Sequence, residues 1–155
     1  MLPDSKRPLM VSRLSKRLRA LGLSSFGQYR ALVESGDGAD EIGRMITSLT
    51  TNVTRFFREG QHFDHLAASV LPALIGRARD GGRVRLWSAG CSTGEEAYSL
   101  AFTILDICPE AETLDIRILA TDIDPNVLNT ARTGTYPEQA VRALPAAMRN
   151  RFIRV

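Results

Sequence analysis

The stretch Leu86 to Tyr98, LWSAGCSTGEEAY, constrains the fold of this chain more than any other. Ahead of it, Arg83-Val84-Arg85-Leu86-Trp87 is short and β-prone. Behind it, Ala97 to Leu105 is long and apolar at helical spacing. Between them stand Gly90 and Gly94, separated only by the small residues Cys91, Ser92 and Thr93. The pattern predicts a strand, a glycine turn and the start of a helix. Such a junction lets backbone N–H groups approach a ligand, because no Cβ stands in the way. The GxxxG spacing is neither the GxGxxG dinucleotide fingerprint nor a P-loop, since no GK[ST] follows. An ordinary strand-to-helix turn is the alternative reading.

A second β-prone run, Leu114 to Thr121, leads into Asp122-Ile123-Asp124-Pro125. An acidic residue ending the strand after a glycine turn can accept both hydroxyls of a ribose. Asp122 is the residue assigned that role. It follows Gly90 at more than the roughly 20 residues of the dinucleotide fold, so the match is to the logic and not to the spacing. Asp124 is expected to be a helix N-cap, with Pro125 at the first helical position.

The 155 residues suffice for one ordinary domain or two small ones. Apolar content of 44% and charged content of 24% are those of a globular protein. No apolar run reaches the length needed to span a bilayer, and Met1 to Arg7 leads into no signal-peptide core. Membrane insertion is therefore not expected, and the default location is the cytoplasm. Cys91 and Cys108 suggest neither a disulfide framework nor a zinc site. His62 and His65 lack a third ligand nearby, so no metal is expected.

In chain order, a first helix is predicted from about Leu9 to Leu21. Met10, Leu14, Leu18 and Leu21 form one stripe and Arg13, Lys16, Arg17 and Arg19 the opposite arc, with Gly22 just past the end. A basic face is an ordinary solvated surface or a docking site for an acidic partner. No aromatic residue interleaves the charges, so nucleic acid is not the expected partner. Ser25-Phe26-Gly27-Gln28 reads as a capping box for a second helix that points Tyr29, Leu32 and Val33 inward. Gly36-Asp37-Gly38 breaks it. A third helix from Asp40 carries Ile42, Met45, Ile46 and Leu49 on one face.

The segment Thr50-Thr51-Asn52-Val53-Thr54-Arg55-Phe56-Phe57-Arg58 ends that helix. Phe56 and Phe57 read as an anchor between the helical unit and the residues downstream, with Asn52, Thr54 and Arg58 beside it. Arg58 suits a two-pronged grip on a carboxylate. A fourth helix, about Glu59 to Arg79, has Phe63, Leu66, Val70, Leu71 and Leu74 as its apolar positions, with a kink or break at Pro72. Later, a helix from Pro125 to about Arg132 ends at Gly134. Tyr136-Pro137 is a loop, a short helix covers about Pro145 to Phe152, and Phe152 to Val155 begins another strand.

The expected class is therefore α/β: a small amino-terminal helical domain over 1–50, a linker segment and helix over 51–80, and part of a Rossmann-like domain over 81–155. Two strands are few for a parallel sheet, which is normally covered on both faces. The expectation is a piece of a longer protein, whose first strand exposes an unpaired edge and so a template for self-association.

The runs TTNVTRFFRE, WSAGCSTGEEAYS and ATDIDPNVLNTARTGTY resemble the bacterial chemotaxis receptor methyltransferases, the CheR family, and RLSKRLRALGLSSFGQY resembles their amino-terminal helical domain. The resemblance covers nearly the whole chain. It implies methyl transfer from S-adenosylmethionine, leaving S-adenosylhomocysteine, to glutamates on the cytoplasmic methylation helices of chemoreceptors. It places Asn52, Thr54 and Arg58 over the methionine end of the donor, Asp122 on the ribose and Glu96, rather than Glu95, in contact with the donor. The turn residues Ala89 and Gly90, and Ile123 beside Asp122, complete the cofactor set. Arg13, Lys16, Arg17 and Arg19 align with the helix that recognises receptors. Relative to the family, the amino terminus is shorter by about one helix, and the strands and small β-subdomain beyond Val155 are absent.

The implied chemistry asks for no general base. A glutamate carboxyl has a pKa of roughly 4.3 and is already the nucleophile at neutral pH. Its charge and that of the sulfonium vanish together as the methyl moves, so a dry pocket holding the two in line is the main requirement. No catalytic histidine is predicted, and Arg58 is the residue assigned to catalysis, by holding carboxylate oxygens. The competing readings are a non-catalytic receptor- or cofactor-binding piece of such an enzyme and a nucleic-acid methyltransferase. No Asn/Asp-Pro-Pro-Tyr run favours the latter.

Overall fold

The computed structural model describes residues 3–35 and 38–154. The chain forms two compact units, Met1–Thr51 and Asn52–Val155.

The first unit is helical: a single 3-10 turn, Asp4–Lys6, then α1 (Arg7–Ala20), α2 (Phe26–Glu34) and α3 (Ala39–Leu49). α1 ends as its sequence predicts. Gly22 takes a left-handed conformation, its N–H donates to Arg19 O, and Leu23 N–H donates to Leu18 O. At α2 only half of the expected capping box forms. Ser25 Oγ accepts from Gln28 N, but Gln28 Oε1 reaches back to Ser24 rather than Ser25. Gly36 and Asp37, assigned to the break after α2, lie outside the described residues.

α3 departs from its expected face. Glu41 is 6% exposed, whereas Ile42 is exposed. Glu41 accepts from both Arg17 and Tyr29 Oη, and these bonds turn position 41 inward.

In the second unit, α4 (Gly60–His65) runs through a π turn (Leu66–Val70) into α5 (Leu71–Arg79). The irregularity sits next to Pro72, the residue expected to break the helix. Leu71 N–H donates to Leu66 O, one residue beyond the helical partner. The extra residue shifts the register, so Leu71 and Ile75 are buried while Val70, expected on the apolar face, is exposed.

β1 (Val84–Ala89) and β2 (Ile116–Thr121) pair in parallel, Val84 opposite Ile116 through Ala89 opposite Thr121. α6 (Glu95–Ile107) makes the crossover. Alternation along the strands turns Leu86, Ile116 and Ile118 towards a core built on Leu71, Ile75, Ile104 and Cys108, and Val84 on the same side of β1 is buried. The other face, with Trp87 at 67% and Leu119 at 58% exposure, is uncovered by the described residues.

α7 (Pro125–Thr133) ends at Gly134, followed by α8 (Glu138–Val141) and α9 (Ala146–Phe152). α8 lies just past the expected Tyr136-Pro137 loop and has no counterpart in the sequence pattern. α9 matches the short helix expected over about Pro145 to Phe152; the strand expected from Phe152 does not form, since Ile153 and Arg154 are irregular, and Val155 lies outside the described residues. A second core joins Phe56, Phe102, Val141 and Leu144 with Tyr98, Tyr136 and Phe152 around them. Phe56 thus anchors its segment as its apolarity suggests.

Candidate functional site

The site is built at the carboxyl ends of the two strands. Gly90 N and Cys91 N both donate to Thr121 O at 2.8 Å, so the end of β2 holds the turn after β1. Trp87 Nε1 adds a bond to Thr121 Oγ1 at 2.9 Å. Ser92 adopts φ +50°, a left-handed conformation unfavourable for a side-chain-bearing residue. That conformation aims its N–H at Asp122 Oδ2, 2.8 Å away. Asp124 N–H donates to Asp122 Oδ1 at 2.9 Å. The Asp122 carboxylate is therefore fixed by one backbone donor on each oxygen. A carboxylate offers about four acceptor positions, so it can still take two hydroxyl donors.

The two glycines of the turn differ. Gly90 has φ +80°, and a Cβ there would meet nothing within 4 Å: the backbone faces open space. Gly94 has φ +100°, and a Cβ there would lie 2.8 Å from Tyr136 Oη and 2.9 Å from Ala131 Cβ. Gly94 thus serves the packing of α7 and of Tyr136, whose hydroxyl donates to Thr93 O at 2.6 Å. Burial pushes the Tyr136 hydroxyl pKa up, so it stays a proton donor.

The two glutamates that open α6 point apart. Glu95 is buried and accepts from Thr93 Oγ1, while Glu96 is exposed and accepts from Ser88 Oγ at 2.6 Å. The Cys91 thiol is buried and its pKa is raised by desolvation, then by the nearby Asp122 charge, so it is a neutral small residue of the turn.

The Asn52–Arg58 segment is tied to this turn. Asn52 Nδ2 donates to Asp124 Oδ2 at 2.7 Å, and Ser92 Oγ donates to Asn52 O at 3.1 Å. Phe57, itself at φ +49°, donates its N–H to Ser99 Oγ at 2.9 Å. Thr54 is half-buried. Arg58 is exposed, and its Nη1 donates to Val53 O at 2.9 Å. Ile123 is 62% exposed beside Asp122.

The structure thus brings Asn52, Ala89, Gly90, Asp122 and Ile123 to the strand ends and the turn. The sequence carries no signal for Ser92, since nothing local marks a non-glycine residue at positive φ. It marks Asp124 as the cap of α7, whose Oδ1 accepts from Asn126 N at 2.9 Å, but not as the acceptor for Asn52.

In the first unit the four basic residues of α1 divide. Arg17 forms two bonds with Glu41, at 2.9 and 2.6 Å. Arg13 donates to Leu49 O, Thr50 O and Thr51 Oγ1. Both are half-buried, whereas Lys16 and Arg19 are exposed. The expected single basic arc is in fact two pairs, one turned onto α3 and its end and one towards solvent. His62 and His65 are exposed, and the described residues contain no cluster of three or more metal-ligating side chains. No helix among them is long and apolar enough to cross a membrane.

Comparison with known proteins identifies the family. The family described as "CheR methyltransferase, all-alpha domain" matches residues 1–50, and "CheR methyltransferase, SAM binding domain" matches residues 52–155. The chain is 52% identical, over 97% of its length and 56% of the relative's, to a probable chemotaxis protein methyltransferase of Rhizobium etli. It is 42% identical, over 99% of its length and 51% of the relative's, to the chemotaxis protein methyltransferase of Escherichia coli. A chemotaxis protein methyltransferase of Borreliella burgdorferi is 37% identical over 98% of this chain and 55% of its own length. The chain spans about half the length of the curated relatives it matches. With both domain families matched in order and these identities across nearly every residue, the chain belongs to the CheR methyltransferase family.

Proposed function

We propose that this chain supplies the methyl-donor half of an S-adenosylmethionine-dependent protein-glutamate O-methyltransferase acting on chemoreceptors in the cytoplasm. The observation that carries the reading is the Asp122 carboxylate, fixed at the end of β2 beside an open glycine backbone. Two acceptor oxygens next to a surface with room for a ligand suit a ribose diol. Exposed Ile123 offers the adenine ring an apolar bed, and the Ala89-Gly90 backbone admits the nucleoside closely. Asn52, Thr54, Arg58 and Glu96 are assigned to the methionine end and its surroundings.

When bound, S-adenosylmethionine supplies a methyl group on a cationic sulfur. The residues of this chain bind and orient it. A receptor glutamate is ionised at neutral pH, so no side chain has to remove a proton. Arg58, exposed and donating to Val53 O, is the one residue assigned to catalysis, by holding the oxygens of the incoming carboxylate. Lys16 and Arg19, exposed on α1, are the receptor-recognition residues this reading favours; Arg13 and Arg17 support them by fixing α1.

A second reading is a binding module that holds donor or receptor without turnover. The sheet face of Trp87 and Leu119, uncovered by the described residues, would give such a module a contact surface. That face also supports self-association. Labelled S-adenosylmethionine supplied with receptor-containing membranes separates the readings. The enzyme yields protein-bound label that alkali releases as methanol. Donor binding with no transferred label leaves the module, and label in nucleic acid overturns both.

A further inference from the structure

The second acidic residue of the Asp122-Ile123-Asp124 run does more than cap a helix. We propose that Asp124 is a positioning residue: its carboxylate clasps Asn52 and so holds the Asn52–Arg58 segment over the glycine turn. The proposal rests on the methyl-donor reading in assigning that segment to the donor's methionine end.

Asp124 is 4% exposed. Its Oδ1 accepts from Asn126 N at 2.9 Å and Asn126 Nδ2 at 3.0 Å, which completes the cap. Its Oδ2 faces the other way and accepts from Asn52 Nδ2 at 2.7 Å. An N-cap needs one acceptor, and Asn, Ser or Thr serves as well as Asp. Only an acidic side chain puts acceptors on both sides and donors on neither. A carboxylate also settles which end of the Asn52 amide faces it, since only the NH2 can donate. Asn52 is gripped again through its carbonyl by Ser92 Oγ.

The segment is pinned independently further on. Phe57 N–H is held by the buried Ser99 Oγ, and the Phe56 ring packs against Tyr136 at 5.0 Å between centroids. Between these two anchorages lies Thr54. Losing the Asp124 bond leaves the Asn52 end held by Ser92 Oγ alone and so loosens residues 53–55, while the Phe56 anchor stays. The Asp122 carboxylate is fixed by backbone donors, including Asp124 N, so its setting does not depend on the Asp124 side chain.

Asp124→Ser separates clasp from cap: its hydroxyl still accepts from Asn126 N but is too short to reach Asn52. Asp124→Asn is the control, because the Asn52 amide can turn its Oδ1 to accept from the new NH2 and keep one bond. Asp124→Ala removes both functions. Three quantities are read on the whole chain: Tm, the rate of tryptic cleavage after the exposed Arg55, and adenosylhomocysteine affinity by calorimetry. Asp124→Ser is expected to be cleaved about tenfold faster without ligand and to bind adenosylhomocysteine about tenfold more weakly, the factor that a lost hydrogen bond to a charged group represents. Asp124→Ala should match it in both and melt lower, having lost the cap as well, and Asp124→Asn should stay nearer the wild type in both. Unchanged cleavage in Asp124→Ser overturns the clasp. Faster cleavage with wild-type affinity, or affinity loss that merely follows Tm across the three variants, overturns the positioning role. If the unaltered chain takes up no adenosylhomocysteine, the methyl-donor reading fails, and the cleavage comparison still decides the clasp.

Discussion

Arg17, Glu41 and Tyr29 carry the charge chemistry of the helical unit. The Arg17 guanidinium holds the Glu41 carboxyl below the usual carboxylate range, and burial pushes the Tyr29 hydroxyl up to about 12. A depressed Glu41 gives stability that is full above the ordinary glutamate range and is lost as pH falls through its folded value. A raised Tyr29 gives stability that is full below pH 10.0 and is lost as pH rises towards about 12. Helical content followed by circular dichroism should therefore fall at both extremes. Glu41→Gln should remove the acid-side loss and lower stability by roughly 1.5–3 kcal/mol, the range for a hydrogen bond to a charged group; an unaltered acid limb would assign the loss to another carboxyl. The sequence could not reveal this pairing, because a glutamate between Asp40 and Ile42 reads as solvated until its partners are known. Charge reversal at Lys16 and Arg19, which have no such partner among the described residues, should reduce receptor methylation and leave Tm and adenosylhomocysteine affinity unchanged. Loss of all three would make them structural. Asp122→Ala should weaken adenosylhomocysteine binding by roughly 1–3 kcal/mol in a folded chain. Equal affinity would place the ribose elsewhere.

At the scale of elements, legibility depends on how far the deciding interaction reaches. Gly22, Ser25, Asp124-Pro125 and Gly134 each mark a helix end through bonds spanning a few residues, and each does so here. The strands and the turn between β1 and α6 are legible for the same reason. The break at Pro72 is legible too, though not its π form, whereas α8, whose Val141 is buried against Phe56 and Phe102, answers to packing from distant residues, so local patterning misses it. The glycine turn gives a contrast that tests its two halves. Gly90→Ala meets open space and costs only the strain of a positive φ, roughly 1–2 kcal/mol. Its methyl would project where the nucleoside is assigned, so affinity should fall more than stability. Gly94→Ala drives a Cβ against Tyr136 Oη and Ala131, so Tm should fall further than for Gly90→Ala. Melting curves and adenosylhomocysteine titrations on both variants decide this, and the reverse ranking of Tm would mean the turn rearranges.

At the scale of the whole chain, the consequential feature is a sheet that the described residues cover on one face only. β1 and β2 are two strands where parallel sheets usually have several, buried on both sides. Trp87 and Leu119, cross-strand partners, present an apolar pair to solvent. Beside them Arg85 stands opposite Arg117, and Asp115 pairs with Arg85 at 2.8 Å, leaving the patch net positive. Apolar contact favours association of two copies through this face, while like charges oppose it at low salt. Sedimentation velocity should therefore show the average mass rising with protein concentration, and rising more at high salt, where the arginines are screened. Leu119→Lys should return the chain to a monomer and, lying away from the second unit's core, leave its Tm nearly unchanged. A monomer at all concentrations and salts would show that the exposed pair is too small a patch to hold two copies together.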